Sequence, residues 1–379
     1  MSPFRILATR GDAVESAHVV SVAVVRGAGA LGRWGGELIA SAGDPELVTF
    51  WRSAAKPFQA LPLVEDGGAE RYGLGTEELA LACASHSSEP MHLEVTDRFL
   101  AKIGCTESDL ACGPHPPLGP KVLERIQREG VQPTPRWSNC SGKHSGMLAQ
   151  AKHRGWPTSG YERKDHPVQQ RIVTAVEEWT GTKAREGEAR KSREAREEEA
   201  REDKTRKARQ AREGAVPVAP LATHAPLELA VDGCAAVCFG LPLSGMARAY
   251  AALGDGASPG LALLRNAMLA RPDLVAGTGR SCTDVMQAAP GKVLVKLGAD
   301  GVYCGTLIGT GLGFALKVED GDMRTLPVAL LAVLDQLAAH VGWSERWNTL
   351  IPQHGGFEIK NTRKVVTGRV YAEGGVRFP

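Results

Sequence analysis

The sequence predicts a mixed body of helices and strands, α/β or α+β, and three observations lead there. Its 379 residues include 44 glycines and 23 prolines, which break the chain into many short elements rather than long bundles. A run of β-branched residues ends near glycines, as a buried strand does. Other stretches repeat apolar residues at helical spacing. With 43% hydrophobic residues, a chain of this length can bury a large core, which excludes disorder throughout.

Taken in order, Met1 to Ser16 carries Arg5, Arg10, Asp12 and Glu15 and lacks the apolar stretch of a secretory signal, so no export is expected. His18 to Val25 (HVVSVAVV) reads as a strand ending near Gly27 and Gly29. Val95, Phe99, Leu100 and Ile103 share a helix face before Gly104, and Val168, Ile172, Val173, Val176 and Trp179 share another before Gly181. Both glycines stand where helices end. Lys292 to Lys296, Gly298 and then Gly301 to Gly309 read as a two-stranded hairpin. Leu326 to Leu337, the most apolar helix candidate, is shorter than the roughly 18–20 residues that cross a bilayer.

Lys+Arg at 45 against Asp+Glu at 43 gives a net charge of +2, so no global field favours nucleic acid or an anionic membrane. Eight scattered cysteines read as reduced thiols of a cytoplasmic protein rather than a disulfide scaffold. One segment is foreign to the rest: Lys183 to Glu213 holds 12 Lys or Arg and 9 Asp or Glu, with alanines its only apolar side chains. It supplies no core face. Acid-first pairs at spacing four, such as Glu186 with Arg190 and Glu202 with Arg206, suit either a solvated helix of about 45 Å or a disordered insertion. A docking arm is the functional alternative to a tolerated surface insertion.

Four strings carry candidate chemistry. In Arg52-Ser53-Ala54-Ala55-Lys56-Pro57, a helix from Ser53 puts the Lys56 amine one turn from the Ser53 hydroxyl, and Pro57 suits a first turn. A serine hydroxyl needs a base to become a nucleophile, and a buried lysine can be one; this Ser-x-x-Lys spacing serves penicillin-binding proteins and serine β-lactamases. An N-cap serine beside a solvated lysine is the plain alternative. Ala84-Ser85-His86-Ser87-Ser88-Glu89-Pro90 gathers three hydroxyls, an imidazole and a carboxylate at a helix end, fit to hold an amide or carboxylate or simply to form a turn.

Ser138 to Gly146 (SNCSGKHSG) packs Cys140, Lys143 and His144 into five positions, and Asp232-Gly233-Cys234 offers a second thiol. Two thiolates and a nitrogen make a soft-metal site with a position open to water; a small buried hydrophobe is the other reading of each cysteine. Lys296 ends an apolar strand before a glycine turn, where it either points into a cleft or reaches solvent.

Together with Val14-Glu15-Ser16, Cys112-Gly113-Pro114-His115, Gly155-Trp156-Pro157-Thr158 and Asp165-His166-Pro167, these strings in this order resemble the asparaginase II family, the rhizobial-type L-asparaginases. The resemblance implies a serine β-lactamase/glutaminase-like fold, with an antiparallel sheet flanked by helices plus a helical lobe. Residues 1–379 then form a single catalytic unit of two lobes, with 183–213 as a charged surface insertion. It implies hydrolysis of L-asparagine to L-aspartate and ammonia, two Ser-Lys tandems carried by Ser53 with Lys56 and Ser85 with Lys296, and a zinc ion held by Cys140, Lys143 and Cys234. Arg52, His86, Asp232 and His144 fall around the substrate, and a homodimer is expected, with neither nucleic acid nor membrane as partner.

On that reading Ser53, activated by Lys56, attacks the side-chain amide carbon and Ser85 relays protons. Zinc positions the amino-acid end of the substrate or braces the cleft, since two thiolates offset its charge. Departures are Ser88, where the family has glycine, and Val237-Cys238, where it has Pro-Thr. The insertion separates Cys140 from Cys234, so the metal site requires its two ends to lie close together. Rival readings are an amidohydrolase or glutaminase of other specificity and a non-catalytic zinc-binding scaffold.

Overall fold

A computed structural model describes residues 3–27, 36–184 and 225–378. Its larger sheet is antiparallel throughout and runs β11 (Phe357–Lys360), β12 (Val366–Glu373), β1 (Arg5–Arg10), β2 (Ala13–Gly27), β10 (Leu312–Val318), β9 (Val302–Leu307), β8 (Val293–Gly298), with β3 (Gly36–Ala42) also on β2. β2 is long enough to serve two neighbourhoods: its first half pairs β1, and Val20 to Arg26 pairs β10. Register shifts at Ala8/Thr9 and Val24/Val25 curl the sheet, as bulges do.

The expected strand at His18 to Val25 is the buried half of β2; its continuous apolar run reflects cover on both faces. One cover is the helix Leu243–Asp255, which lies against β2, β9 and β10. It comes so close that a Cβ on Gly313 would sit 2.2 Å from the Ala247 carbonyl oxygen. The Lys292 to Gly309 hairpin is β8 and β9. The apolar stretch from Leu326 forms a helix to His340 that packs on the same sheet.

A second sheet has the order β4 (Val48–Phe50), β7 (Val237–Pro242), β6 (Ala225–Val231), β5 (Thr182–Ala184), with β5 and β6 parallel and the rest antiparallel. Helices Lys56–Glu65, Thr76–Ala82, Pro90–Lys102, Ser141–Arg154, Pro167–Thr180 and Pro259–Ala270 pack on one another. Gly104 and Gly181, past the ends of two of them, have φ of 61° and 69°, the left-handed cap that glycine adopts at least cost.

Of the charged segment, Lys183 and Ala184 belong to β5, and 185–213 lies outside the described residues. The ends of the intervening chain meet: Thr182 pairs with Ala225 and Ala184 with Leu227. All eight cysteines are free thiols. Among the described residues no helix is long and apolar enough to cross a membrane.

Candidate active site

The site begins at the end of β4. Trp51 is fully buried, donates its backbone N–H to the Phe239 carbonyl and its indole N–H to the Cys304 sulfur, and stacks on Phe58 at 5.0 Å. Tyr250 leans on both rings and donates its hydroxyl to the Ala54 carbonyl at 2.8 Å. This aromatic cage fixes the turn that follows. Arg52 to Ala55 form one turn of 3-10 helix, and Lys56 to Glu65 continue as α-helix with Pro57 in its first turn. In a 3-10 turn side chains three apart eclipse, so Ser53 and Lys56 lie on one face, as the spacing predicts. At Gly298, the end of β8, a Cβ would lie 2.8 Å from the Trp51 carbonyl oxygen; glycine lets the strand carrying Lys296 close on this turn.

The amine of Lys56 takes a partner the spacing did not indicate. Its Nζ, fully buried, donates to the Ala84 carbonyl at 2.6 Å, the Ser85 hydroxyl at 2.9 Å and the Asn139 carbonyl at 3.3 Å. These use all three donors of an ammonium. No hydrogen bond joins Lys56 to the Ser53 hydroxyl among the described residues, because a long flexible stem follows its acceptors rather than its own helical turn. Lys296, also fully buried, donates to the same Ser85 oxygen at 3.0 Å and to the Leu297 carbonyl at 3.1 Å. Burial pushes its amine down to about 7, helped by the charges of Lys56 and Arg280. Ser85 is itself buried and held by its backbone N–H on the Val275 carbonyl, whereas Ser53 is half-buried.

His86 has both ring nitrogens engaged: Nε2 with the Ser141 hydroxyl at 2.9 Å and Nδ1 with the Ser88 N–H at 3.2 Å. It stacks on His92 at 5.0 Å, and burial, then the charge of His92, lowers it well below its ordinary value. The imidazole is therefore a neutral brace for the loop. Ser88 has φ +58°, the region that favours glycine, and its hydroxyl donates to the Trp137 carbonyl at 2.6 Å.

Helix Ser141–Arg154 starts at Cys140 and passes Leu81 so closely that a Cβ on Gly142 would lie 2.3 Å from its carbonyl oxygen. Lys143, one turn on, donates to the Cys234 sulfur at 2.9 Å. Cys234 sits in the tight turn between β6 and β7, closed by bonds from the Asp232 N–H to the Ala236 carbonyl and from the Ala235 N–H back to Asp232. Hydrogen bonding from Cys140 holds the Cys234 thiol far below its usual range and Cys140 correspondingly above it. Burial disfavours the Lys143 ammonium, but the Cys234 charge outweighs it and raises the amine above its ordinary value, so binding a metal here would require that proton to be released. Two cysteine sulfurs and the Lys143 nitrogen thus converge from residues up to 94 positions apart, donor types a zinc ion accepts once the lysine has lost its proton. Among the described residues no group of three or more His, Cys, Asp or Glu side chains is placed to hold a metal ion, here or elsewhere.

Arg52 ties the two halves together. Its Nε donates to Asp232 Oδ1 at 3.1 Å, and its guanidinium also pairs with Asp300 in the β8–β9 turn. Arg52 and Asp232 border a cleft of about 240 Å³ lined also by Phe50, Ala230, Val231, Gly233 and Cys238, which suits a small substrate. Burial pushes the Cys238 thiol there up to about 11. Of five non-glycine residues with positive φ among the described ones, Arg52, Ser88, Ala235 and Asp300 all belong to this region; strained backbone of this kind persists where surrounding structure holds it and concentrates at functional sites. His144 is fully buried, bonded through Nδ1 to the Tyr161 hydroxyl at 2.8 Å. Of these contributors, Tyr161 and the aromatic cage carry no motif that spacing could single out; Asn139 lies in the Ser138–Gly146 string but its carbonyl gave no signal there, and for Asp300 the signal was the turn string Gly298-Ala299-Asp300-Gly301.

The family model described as L-asparaginase II matches residues 6–190 and 205–372, leaving unmatched a stretch that lies inside the charged segment. No curated protein matches the chain.

Proposed function

Since the chain belongs to the L-asparaginase II family, a family of amidohydrolases, we propose that it hydrolyses L-asparagine to L-aspartate and ammonia through a serine nucleophile served by two buried lysines. The observation that carries this reading is the Ser85 hydroxyl held at 2.9 and 3.0 Å from the amines of Lys56 and Lys296. A lysine with a value near 7 is suited to take and return a proton at neutral pH.

Ser53, half-buried and next in sequence to Arg52 of the cleft wall, is the nucleophile on this reading. It gives its proton to Lys56 as Lys56 passes one through Ser85 to Lys296, and its oxygen bonds to the amide carbon. The cationic groups of Arg52 and the lysines stabilise the negative charge that develops. The carbon–nitrogen bond breaks as ammonia takes a proton back through the same relay, and water then cleaves the aspartyl ester. Ser85 as the nucleophile is the second reading, favoured by its direct bonds to both lysines.

Cys140, Lys143 and Cys234 would hold zinc, and His144 and Asp232 stand beside them. The metal would supply positive charge next to the cleft, moderated by two thiolates. Arg52 and Asp232 are the groups placed to receive a carboxylate and an ammonium of the amino acid. The finer fold assignment, a serine β-lactamase/glutaminase-like unit of two lobes, is supported by a lysine-bearing strand of an antiparallel sheet facing a Ser-x-x-Lys turn. The homodimer and the cytoplasmic location rest on the family and on the free thiols.

The test is ammonia release from L-asparagine and L-glutamine by the wild type, Ser53→Ala and Ser85→Ala, with a diazoketone analogue of asparagine used to label the nucleophile. Label on Ser53 and loss of turnover in Ser53→Ala support the reading. Label on Ser85 selects the second one, and a folded, zinc-loaded wild type without amidase activity overturns both.

A further inference from the structure

We propose that the cleft also takes N-aryl amides of the aspartate side chain, with the Phe50 ring as the platform for an aromatic amine that leaves in place of ammonia. The inference deepens the amidase reading above and rests on it. The cleft has two kinds of wall. Arg52 and Asp232 supply its charge, while Phe50, Ala230 and Val231 line it with side chains that carry no polar atom. Cys238 completes that wall as a thiol that burial keeps protonated, a small and weakly polar group. Free asparagine uses little of such a wall: past its amino-acid end it has one methylene and a carboxamide whose N–H groups need acceptors.

The Phe50 ring is held from one side. Phe50 pairs with Gly240 across β4 and β7, and a Cβ on that glycine would lie 3.3 and 3.5 Å from two of the ring carbons, so the ring rests on the β7 backbone. Its other side is open: Phe50 is 39% exposed, and Val231 at the end of β6 is 77% exposed. Among the described residues Phe50 meets no second aromatic ring. A ring seated on one face and open on the other is suited to stack on an aromatic group. A hydrophobic wall also cannot strongly reject a substrate that adds an apolar group, whereas a wall that hydrogen-bonds both hydrogens of a primary amide would. The reaction balances without a new reactant. The serine oxygen bonds to the amide carbon, the carbon–nitrogen bond breaks, and the arylamine takes the proton that the serine gave to the lysines. Water then cleaves the aspartyl ester and restores the serine.

The experiment uses the full chain and three substrates: ammonia from L-asparagine, aniline from L-aspartic acid β-anilide, and methylamine from the β-methylamide, a secondary amide without a ring. The wild type is expected to release aniline. Phe50→Ala is expected to lower the anilide-to-asparagine ratio of kcat/KM about tenfold and to leave the methylamide-to-asparagine ratio within about two-fold. Val231→Ser, at an exposed position, is expected to move the anilide ratio in the same direction, and it carries the test should Phe50→Ala not fold. A wild type that releases ammonia from asparagine but no aniline overturns the proposal and leaves the amidase reading standing. An anilide ratio unchanged in both variants, or a methylamide ratio that falls as far as the anilide ratio, overturns it as well. A folded wild type that turns over none of the three substrates overturns the amidase reading beneath it.

Discussion

Lys56 and Lys296, one on a helix and one on a strand, bring their amines within 3.0 Å of a single hydroxyl, that of Ser85. Two buried cations on one oxygen repel each other, and the repulsion adds to burial in holding Lys296 near 7. On the proposed mechanism the pair moves a proton rather than storing a charge.

If Lys296 acts as the neutral acceptor, kcat/KM rises tenfold per pH unit below about 7 and levels off above it, because the neutral fraction grows as pH rises through that value. Lys296→Arg stays charged at every accessible pH, and its activity is expected to fall by about 10²–10⁴ with no rising limb. A pH–rate profile of both proteins checks this, and a flat wild-type profile between pH 5.5 and 8 refutes it.

Arg52 is held by an Asp232 whose side chain is 14% exposed and an Asp300 whose side chain is 69% exposed. The outer pair is the weaker, worth about 0–1 kcal/mol, so Asp300→Ala should leave stability almost unchanged. If Arg52 receives a substrate carboxylate as proposed, Arg52→Ala is expected to raise KM roughly 10–100-fold, as loss of a charged hydrogen bond of about 1.5–3 kcal/mol does. Steady-state kinetics on asparagine and thermal melts of the two variants decide it.

At Ser88 backbone strain and a buried hydrogen bond oppose each other. Ser88→Gly relieves a φ of +58° and loses the bond to Trp137, so its net effect should stay within about 1 kcal/mol. Ser88→Ala keeps the strain and strands the Trp137 carbonyl, at a cost of about 1–3 kcal/mol. Denaturant unfolding that ranks alanine above glycine would contradict this account.

Because β5 and β6 are neighbours, the chain between them can be shortened without moving either. Replacing 187–222 by a flexible linker of about ten residues should preserve zinc content and turnover and add about 1 kcal/mol of stability, since loop closure costs about 0.6 kcal/mol per doubling. Loss of metal in a folded deletion variant would assign the charged segment a role in the site.

Much of the scaffold was legible in the sequence because it is local. Glycine caps at Gly104 and Gly181, the β8–β9 hairpin and the buried run of β2 follow from backbone and periodicity alone. The family is equally a property of the chain, since the order of its short strings is preserved across a foreign insertion. Ser53 and Lys56 share a face because a single turn obliges them to.

The partner of the Lys56 amine was a tertiary decision. Four methylenes carry that amine away from its own turn, and it settles where Ala84, Ser85 and Asn139 present oxygens, atoms no spacing could bring together. The low value of Lys296 likewise needs the whole core around it, and the meeting of Lys143 with Cys234 needs β5 and β6 to return the long connection to its starting point. Helical geometry fixes which groups are neighbours along the chain; burial and the need to satisfy every buried donor fix which of them do chemistry together.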